Sequence, residues 1–325
     1  MNEVRNNDAE LVLLDYGSTD GLEEWITSEF PKDLASGKLR RFRYNGASYF
    51  DRSHSKNLTI KLSTGDVCCN IDADNYIGAG FSAYLHSVFS GEEKVFISGL
   101  SNVLNAPDCC GKICGRRSDF LSIGGYDENF EGHGFEDYDI SNRLQLLGLK
   151  ELNLDDPEFR RAISHSNLDR VREDRLSNLT HRILIDGRNK TRTNVILLMN
   201  NGWYLSCRVV DTMESGQQSR FRYQLESDST KTGTWSESGS HLTMLGGTAV
   251  MYEKTGSPGH FSYASDDRSF QEVGMDELPD MILFFTQIMN RYRATDNFSR
   301  RRIKPNETFG MGTVLHIETS QSIAV

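Results

Sequence analysis

The sequence predicts an α/β domain followed by a smaller all-β domain, and three observations point there. Over about the first 190 of 325 residues, short apolar runs alternate with helical patterns. From Val195 onward, short strand-like runs recur at roughly ten-residue spacing between Gly, Ser and Asp turns. The length leaves room for a separate hydrophobic core in each half.

Taken in order, Glu10 to Asp15 reads as a continuous apolar strand that ends in an acid. Leu22, Trp25, Ile26 and Phe30 then fall at helical intervals, with Pro31 closing the helix. Ser53 to Leu62 reads as a second helix with Gly65 just past its end. Val67 to Ile71 is a second buried strand, and it runs into Asp72 and Asp74. Acids at the carboxyl ends of strands matter because ligands bind at that edge of open α/β sheets. A glycine-rich loop, Gly124 to Ile140, feeds a helix over Ser141 to Gly148, and Glu136 and Asp137 stand at its start, where the helix dipole favours ionised acids.

The polar stretch Asp186 to Asn194 marks the predicted boundary, giving domains over 1–190 and 195–325. In the second domain, residues 203–210, 219–225, 233–236, 241–245 and 248–253 read as strands of a sandwich or meander barrel. Its aromatics Trp203, Tyr204, Trp235, Tyr252 and Tyr263 are better read as core residues than as sugar-stacking platforms. The run Arg300 to Lys304 reads as a solvated loop.

Composition narrows the function. Thirty-six Lys and Arg against 46 Asp and Glu leave a net charge of −10, which disfavours a nucleic-acid binder that relies on a cationic surface. A hydrophobic fraction of 37% with six prolines argues for a folded chain. No apolar run approaches the roughly 20 residues that span a bilayer. The opening MNEVRNNDAE lacks the apolar core of a secretory signal, so the expected compartment is the cytoplasm, with peripheral membrane attachment left open. The six cysteines form no Cys-x-x-Cys pair and are expected to be reduced, partly buried side chains.

Three segments carry chemistry together. Leu14 to Gly21 is a strand end turning into a helix, and alone it is an ordinary helix start. Gly65 to Asn75 places an Asp-x-Asp at a strand tip. Two carboxylates so close repel unless a cation lies between them, and hard oxygen ligands suit Mg²⁺ or Mn²⁺, although an isolated Asp-x-Asp is more often a turn. In the third, Gly124 to Ile140, a capped helix would need one acid. Asp127, Glu128, Glu131, Glu136, Asp137 and Asp139 together call for more.

The order Asp-x-Gly-Ser-Thr-Asp from Asp15, Ser-Lys-Asn from Ser55, Asp-Ala-Asp from Asp72, then Gly-Gly-Tyr-Asp-Glu-x-Phe and Gly-Phe-Glu-Asp-Tyr-Asp from Gly124 and Gly134, resembles family 2 glycosyltransferases of the GT-A fold. The last block is similar to their galactosyltransferase C-terminal-like region. The resemblance covers about residues 10–185 and says nothing of residues 195–325.

It implies a mixed, mainly parallel sheet and a set of roles. Asp15 matches the acid that contacts the nucleotide base, and Lys56 a basic position flanking the nucleotide. Asp72 and Asp74 match the motif that binds the nucleotide-sugar diphosphate through a divalent cation, Mn²⁺ or Mg²⁺, and His165 matches a histidine that completes the metal site with them. Asp137 matches the general base and Glu136 its acceptor-holding neighbour. His133 stands where galactosyltransferase-like members often carry a tryptophan that packs on sugars, which assigns it to the acceptor. The implied activity is inverting, metal-dependent transfer of a hexose or hexosamine from a nucleotide-sugar, UDP-linked, to a saccharide hydroxyl. Only nine residues precede Glu10, where such enzymes open with a strand and a helix, so a nucleotide pocket short of its first strand is expected. A non-catalytic protein that binds a glycan or nucleotide is the alternative. Retaining transfer is a third reading, disfavoured because Glu136 and Asp137 would then lack a role.

Overall fold

A computed structural model describes residues 1–100, 109–186, 189, 191–216, 221–244, 249–265 and 268–325. The chain packs as two units: Met1–Ser166 together with Arg293–Val325, and Asn167–Tyr292. This differs from the division expected near residue 190. The predicted linker lies within the second unit, where Asp186 ends one strand and Arg192 begins its hairpin partner; residues 187, 188 and 190 lie outside the described residues. The last 33 residues return to the first unit because they supply two of its strands.

The first unit begins α1 (Asn2–Arg5), β1 (Leu11–Asp15), α2 (Leu22–Glu29), α3 (Pro31–Ala35), β2 (Leu39–Arg43) and α4 (Arg52–Leu62). It continues through β3 (Val67–Asn70), β4 (Asn75–Tyr76), α5 (Phe81–Gly91), β5 (Val95–Ser98), β6 (Ile113–Arg116), α6 (Arg117–Ser122), α7 (Glu136–Leu146), β7 (Lys150–Asn153) and β8 (Arg161–Ala162). Asp51 caps α4 by accepting a hydrogen bond from the His54 backbone N–H at 2.8 Å, which starts the helix one residue before the predicted Ser53.

In the second unit come α8 (Asn167–Val171), α9 (Arg175–Leu179), β9 (Thr180–Asp186), β10 (Arg192–Met199), β11 (Trp203–Asp211), β12 (Tyr223–Leu225), β13 (Lys231–Ser238) and β14 (His241–Met244). They are followed by β15 (Ala249–Glu253), β16 (His260–Tyr263), β17 (Ser269–Glu272) and α10 (Leu278–Ser299), of which the residues from Arg293 onward count with the first unit. The first unit then closes with β18 (Thr313–His316) and β19 (Gln321–Ala324).

The first unit holds two four-stranded mixed sheets, ordered β1-β2-β18-β19 and β3-β6-β5-β7, and a two-stranded ribbon of β4 and β8. The sheets are not mainly parallel as expected. Only β1 with β2 and β5 with β7 run parallel. β18 returns from the chain's end against β2, and β6 lies antiparallel between β3 and β5. Phe96, Ile113, Phe120, Tyr126, Ile140 and Leu144 pack β5 and β6 against α6 and α7. Leu58 and Leu62 press α4 onto Phe42 and Val314. The β3–β6 register sets Cys69 opposite Cys114, and the two form a disulfide, so the expectation of six reduced thiols fails there.

The second unit resolves the choice between sandwich and barrel. Each of β9, β10, β11, β13, β14, β15, β16 and β17 pairs antiparallel with the next, and β17 pairs with β9, so the meander closes. Strand alternation divides the apolar residues between two faces. Leu184, Ile196, Leu198, Tyr204, Met251 and Phe261 fill the interior. Ile183, Val195, Leu197 and Cys207 face outward against Ile282, Leu283, Phe285 and Ile288 of α10. Of the expected strand over 219–225, Tyr223–Leu225 is observed; Ser219, Arg220, Leu245 and Thr248 lie outside the described residues. Tyr204 is buried and Trp235 and Tyr263 pack on the barrel core, but Trp203 and Tyr252 are exposed. The expected loop at Arg300 follows α10 directly, with the Arg300 side chain in solvent.

Candidate active site

The site starts at an unusual helix entry. Gly132, Gly134 and Phe135 adopt positive φ values of 69°, 97° and 71° just before α7. Glycine does so freely, but a phenylalanine there stores strain, which clusters at functional sites. The turn puts Glu136 and Asp137 in the first turn of α7, where the helix dipole stabilises negative charge. Both side chains are nonetheless buried.

Lys56 of α4 meets them. Its Nζ donates to Glu136 Oε1 at 3.1 Å and Asp137 Oδ1 at 2.9 Å, and lies 3.9 Å from Asp72 Oδ1. It also sits 5.0 Å from the Tyr126 ring centroid. One ammonium thus serves three carboxylates, and the two α7 acids divide unequally. Burial alone would raise Glu136, but Lys56, Arg52 and His133 outweigh it and bring that carboxyl down to about 2. Burial and the negative charges of Glu136 and Asp72 overcome Lys56 at Asp137 and hold its carboxyl well above the usual range. The cluster therefore holds a committed anion, Glu136, beside a carboxyl that takes up a proton readily, Asp137.

A buried frame fixes these groups. Asn57, next to Lys56, donates to the Tyr126 carbonyl at 2.9 Å and Glu128 Oε1 at 2.8 Å, and accepts from the Tyr126 N–H at 2.7 Å. A Cβ on Gly125 would strike the Asn57 side chain, so that position requires glycine. Arg143, fully buried, donates to Asp139 Oδ2 at 2.6 Å and to the Gly125 carbonyl at 2.7 Å. Asn297 donates to both Asp127 and Asp139 at 2.9 Å. Most of the loop acids singled out in the sequence thus have structural partners.

A second cluster forms at the β4–β8 ribbon. Ile163 N–H donates to the Asp74 carbonyl at 2.8 Å, which sets His165 beside Asp74, with Nε2 3.1 Å from Asp74 Oδ2. Both side chains are about one-third exposed. Lys112 is buried beneath and donates to the Tyr76 and Phe159 carbonyls at 2.7 and 2.6 Å, tying the ribbon down. Burial holds the Lys112 ammonium below its usual pKa. Asp72 instead takes an Asn70 side-chain hydrogen bond at 3.2 Å and faces Lys56. Asp15 accepts from the Ser18 N–H at 2.6 Å and lies 3.3 Å from Arg43. Beside it Tyr16 packs on Tyr44 and Phe50 and shares a hydrogen bond with His54.

Among the described residues no three His, Cys, Asp or Glu converge as a ready metal site. The Asp74 and His165 pair still fits a divalent cation, since one oxygen and one nitrogen donor stand together, partly exposed, and Mn²⁺ or Mg²⁺ usually completes its shell with substrate phosphates and water.

Sequence reasoning placed Lys56 at the nucleotide; the structure places it against Glu136, Asp137 and Asp72. It missed Arg52, Asn57, Lys112, Arg143 and Asn297. Asn57 was in view within the quoted Ser-Lys-Asn, and Arg143 follows Asp139 at i+4 spacing. Lys112 and Asn297 carry no local signal.

Residues 87–168 match the family described as "Glycosyltransferase like family 2". This glycosyltransferase match spans α5 to His165 and so includes His133, Glu136 and Asp137, whereas Asp15, Lys56, Asp72 and Asp74 precede it. It covers 82 of 325 residues. The catalytic domain of Drosophila beta1,4galactosyltransferase 7, in complex with xylobiose, is similar over 51% of this chain and 75% of that one, with 13% identity and a TM-score of 0.33. No curated protein matches. No helix among the described residues is long and apolar enough to cross a membrane.

Proposed function

We propose that the first unit is an inverting, metal-dependent glycosyltransferase that moves a hexose or hexosamine from a nucleotide-sugar, UDP-linked, to a saccharide hydroxyl. The observation that carries this reading is Asp137, a buried carboxyl with a raised pKa at the start of α7, inside the segment that matches a glycosyltransferase family. A general base works best when its pKa approaches the working pH, and burial beside Glu136 and Asp72 moves Asp137 that way.

In the reaction Asp137 Oδ accepts the acceptor hydroxyl's proton while that oxygen bonds to the anomeric carbon. The bond from that carbon to the diphosphate oxygen breaks on the opposite face, so the configuration inverts. Glu136 stays ionised and orients the acceptor, with His133 beside it. Lys56 keeps the charge of the acid cluster balanced as the proton moves. Asp74 and His165 would hold the cation, and Asp72 would face the donor sugar. When bound, the cation neutralises charge on the leaving diphosphate. Asp15, with Tyr16 and Tyr44 beside it, is assigned to the nucleotide base. Residence in the cytoplasm is the sequence expectation, and the Cys69–Cys114 disulfide counts against it because disulfides are rare in reducing compartments.

Asp137→Asn is expected to lower hexose transfer by about 10²–10⁴ and to leave Mn²⁺-dependent stabilisation by a UDP-sugar in place; transfer at the wild-type rate sinks the reading. Product anomer by NMR separates inversion from retention. A second reading has one observation in its favour: Lys56 already occupies Asp137. In that case the unit binds a glycan or nucleotide without turnover, and calorimetry would show binding where no donor is consumed.

A further inference from the structure

The barrel of the second unit encloses a cavity of about 150 Å³ that the glycosyl-transfer reading does not use. Eight strands leave an interior just wide enough to be filled by side chains or to hold one small ligand. A cavity of this volume accommodates a ring the size of benzene. The lining decides between filling and ligand.

Deep in the barrel the lining is apolar, with Ile196, Tyr204, Met244 and Phe270. Elsewhere the lining is polar, with Asn194, Ser206, Arg208, Ser229, Lys231 and Arg268. Strand alternation makes this a property of inward positions. Asn194 shares the parity of Ile196, Ser206 and Arg208 that of Tyr204, Lys231 that of Trp235, and Arg268 that of Phe270. Among the described lining residues there are thus three cations, Arg208 on β11, Lys231 on β13 and Arg268 just before β17, and no carboxylate. Arg208 is paired outside the lining with Glu226 at 2.7 Å, and Arg268 lies over the Tyr263 ring at 4.4 Å. Lys231 has no ion-pair partner among the described residues. A barrel interior that served only as a core would place apolar residues at these inward positions.

We propose that the barrel binds a small organic monoanion, a carboxylate on a compact apolar body, with the carboxylate at Lys231 and the body against Ile196, Tyr204 and Phe270. The apolar floor makes a fully hydrated inorganic anion a poor fit. The cationic rim makes a neutral apolar molecule a weaker one. The inference is independent of glycosyl transfer and stands or falls separately.

The test uses the full chain and three probes in calorimetry at low salt: benzoate, its neutral isostere benzyl alcohol, and inorganic phosphate. Benzoate is expected to bind at one site at least tenfold tighter than either of the others, and to weaken with added salt. Lys231→Glu, at an exposed position, is expected to weaken benzoate at least tenfold and leave benzyl alcohol unchanged. Ser206→Leu, which intrudes on the cavity from the same strand as Tyr204, is expected to weaken both organic probes. Saturation-transfer NMR in the wild type should place the benzoate ring, and not only its carboxylate, against protein protons. Equal affinity for phosphate and benzoate, no benzoate binding, or unchanged benzoate binding in Lys231→Glu each overturns the proposal.

Discussion

Lys56 Nζ lies 2.9 Å from Asp137 Oδ1, and both side chains are buried. The contact joins α4 to the first turn of α7 and sets the protonation behaviour of the acid cluster. Glu136 and Asp137 then act on stability with opposite signs. Glu136 has a folded pKa of about 2 against an ordinary 4.5, so its stabilising contribution is complete above about 4.5 and is lost as pH falls through 2. Asp137 has a folded pKa raised above its ordinary 3.8, so its contribution is complete below 3.8 and is lost as pH rises through the folded value. Thermal unfolding of the ligand-free protein from pH 4 to 8 should therefore show a loss of stability with rising pH that Asp137→Asn removes. The same slope in both proteins would show that Asp137 is not held protonated by its surroundings.

Lys56→Met leaves Glu136, Asp137 and Asp72 without their nearest cation. Breaking a buried ion pair on one side typically destabilises by about 3–5 kcal/mol, and urea unfolding should show a loss of that order. A loss below about 1 kcal/mol would mean that the pair is solvated in solution.

His165→Ala removes one donor of the pair with Asp74. Disturbing such a site commonly lowers metal affinity by about 10–100-fold. The Mn²⁺ concentration at which a UDP-sugar raises the unfolding temperature should move up by at least about tenfold. An unchanged Mn²⁺ requirement would assign His165 to the ribbon's structure alone.

Arg143 and Arg300 each pair with an aspartate four residues away, but only Arg143 is buried. Arg143→Met strands Asp139 and should destabilise by about 3–5 kcal/mol. Arg300→Met, at an exposed i,i+4 pair, should change stability by about 0.3–0.5 kcal/mol. Parallel denaturation curves separate the two.

The Cys69–Cys114 link leaves Cys68, Cys109, Cys110 and Cys207 outside any disulfide among the described residues. Alkylation under denaturing conditions, after thiols are trapped at lysis, should modify four cysteines. Modification of all six would fit a reducing compartment, where disulfides are rare, and would leave Cys69 and Cys114 as packed neighbours.

Much of the first unit was legible because its signals are local. A five-residue apolar run ending in Asp15, and helical spacing between Leu58 and Leu62, express contacts made within one element or directly beneath it. The glycine-rich approach to Glu136 and Asp137 was legible for the same reason, since left-handed backbone selects glycine. Strands of the barrel were visible through their turns, and α10 was not. Its apolar residues cover the outside of β9, β10 and β11, so its long pattern has no counterpart in its own neighbourhood.

Residue types and their order were enough to bring Asp74, Glu136 and Asp137 forward as chemical candidates, because carboxylate spacing and helix-start chemistry are written in short stretches of chain; His165 came forward only through the family resemblance. Pairing across distance needed the fold. Only the packing of α4 against α7 turns Lys56 toward Asp137, only the β4–β8 ribbon sets His165 beside Asp74, and only closure of β17 onto β9 makes a cavity out of alternating strands. Each of these depends on desolvation and proximity between segments far apart in the chain, and those quantities exist only once the chain has packed.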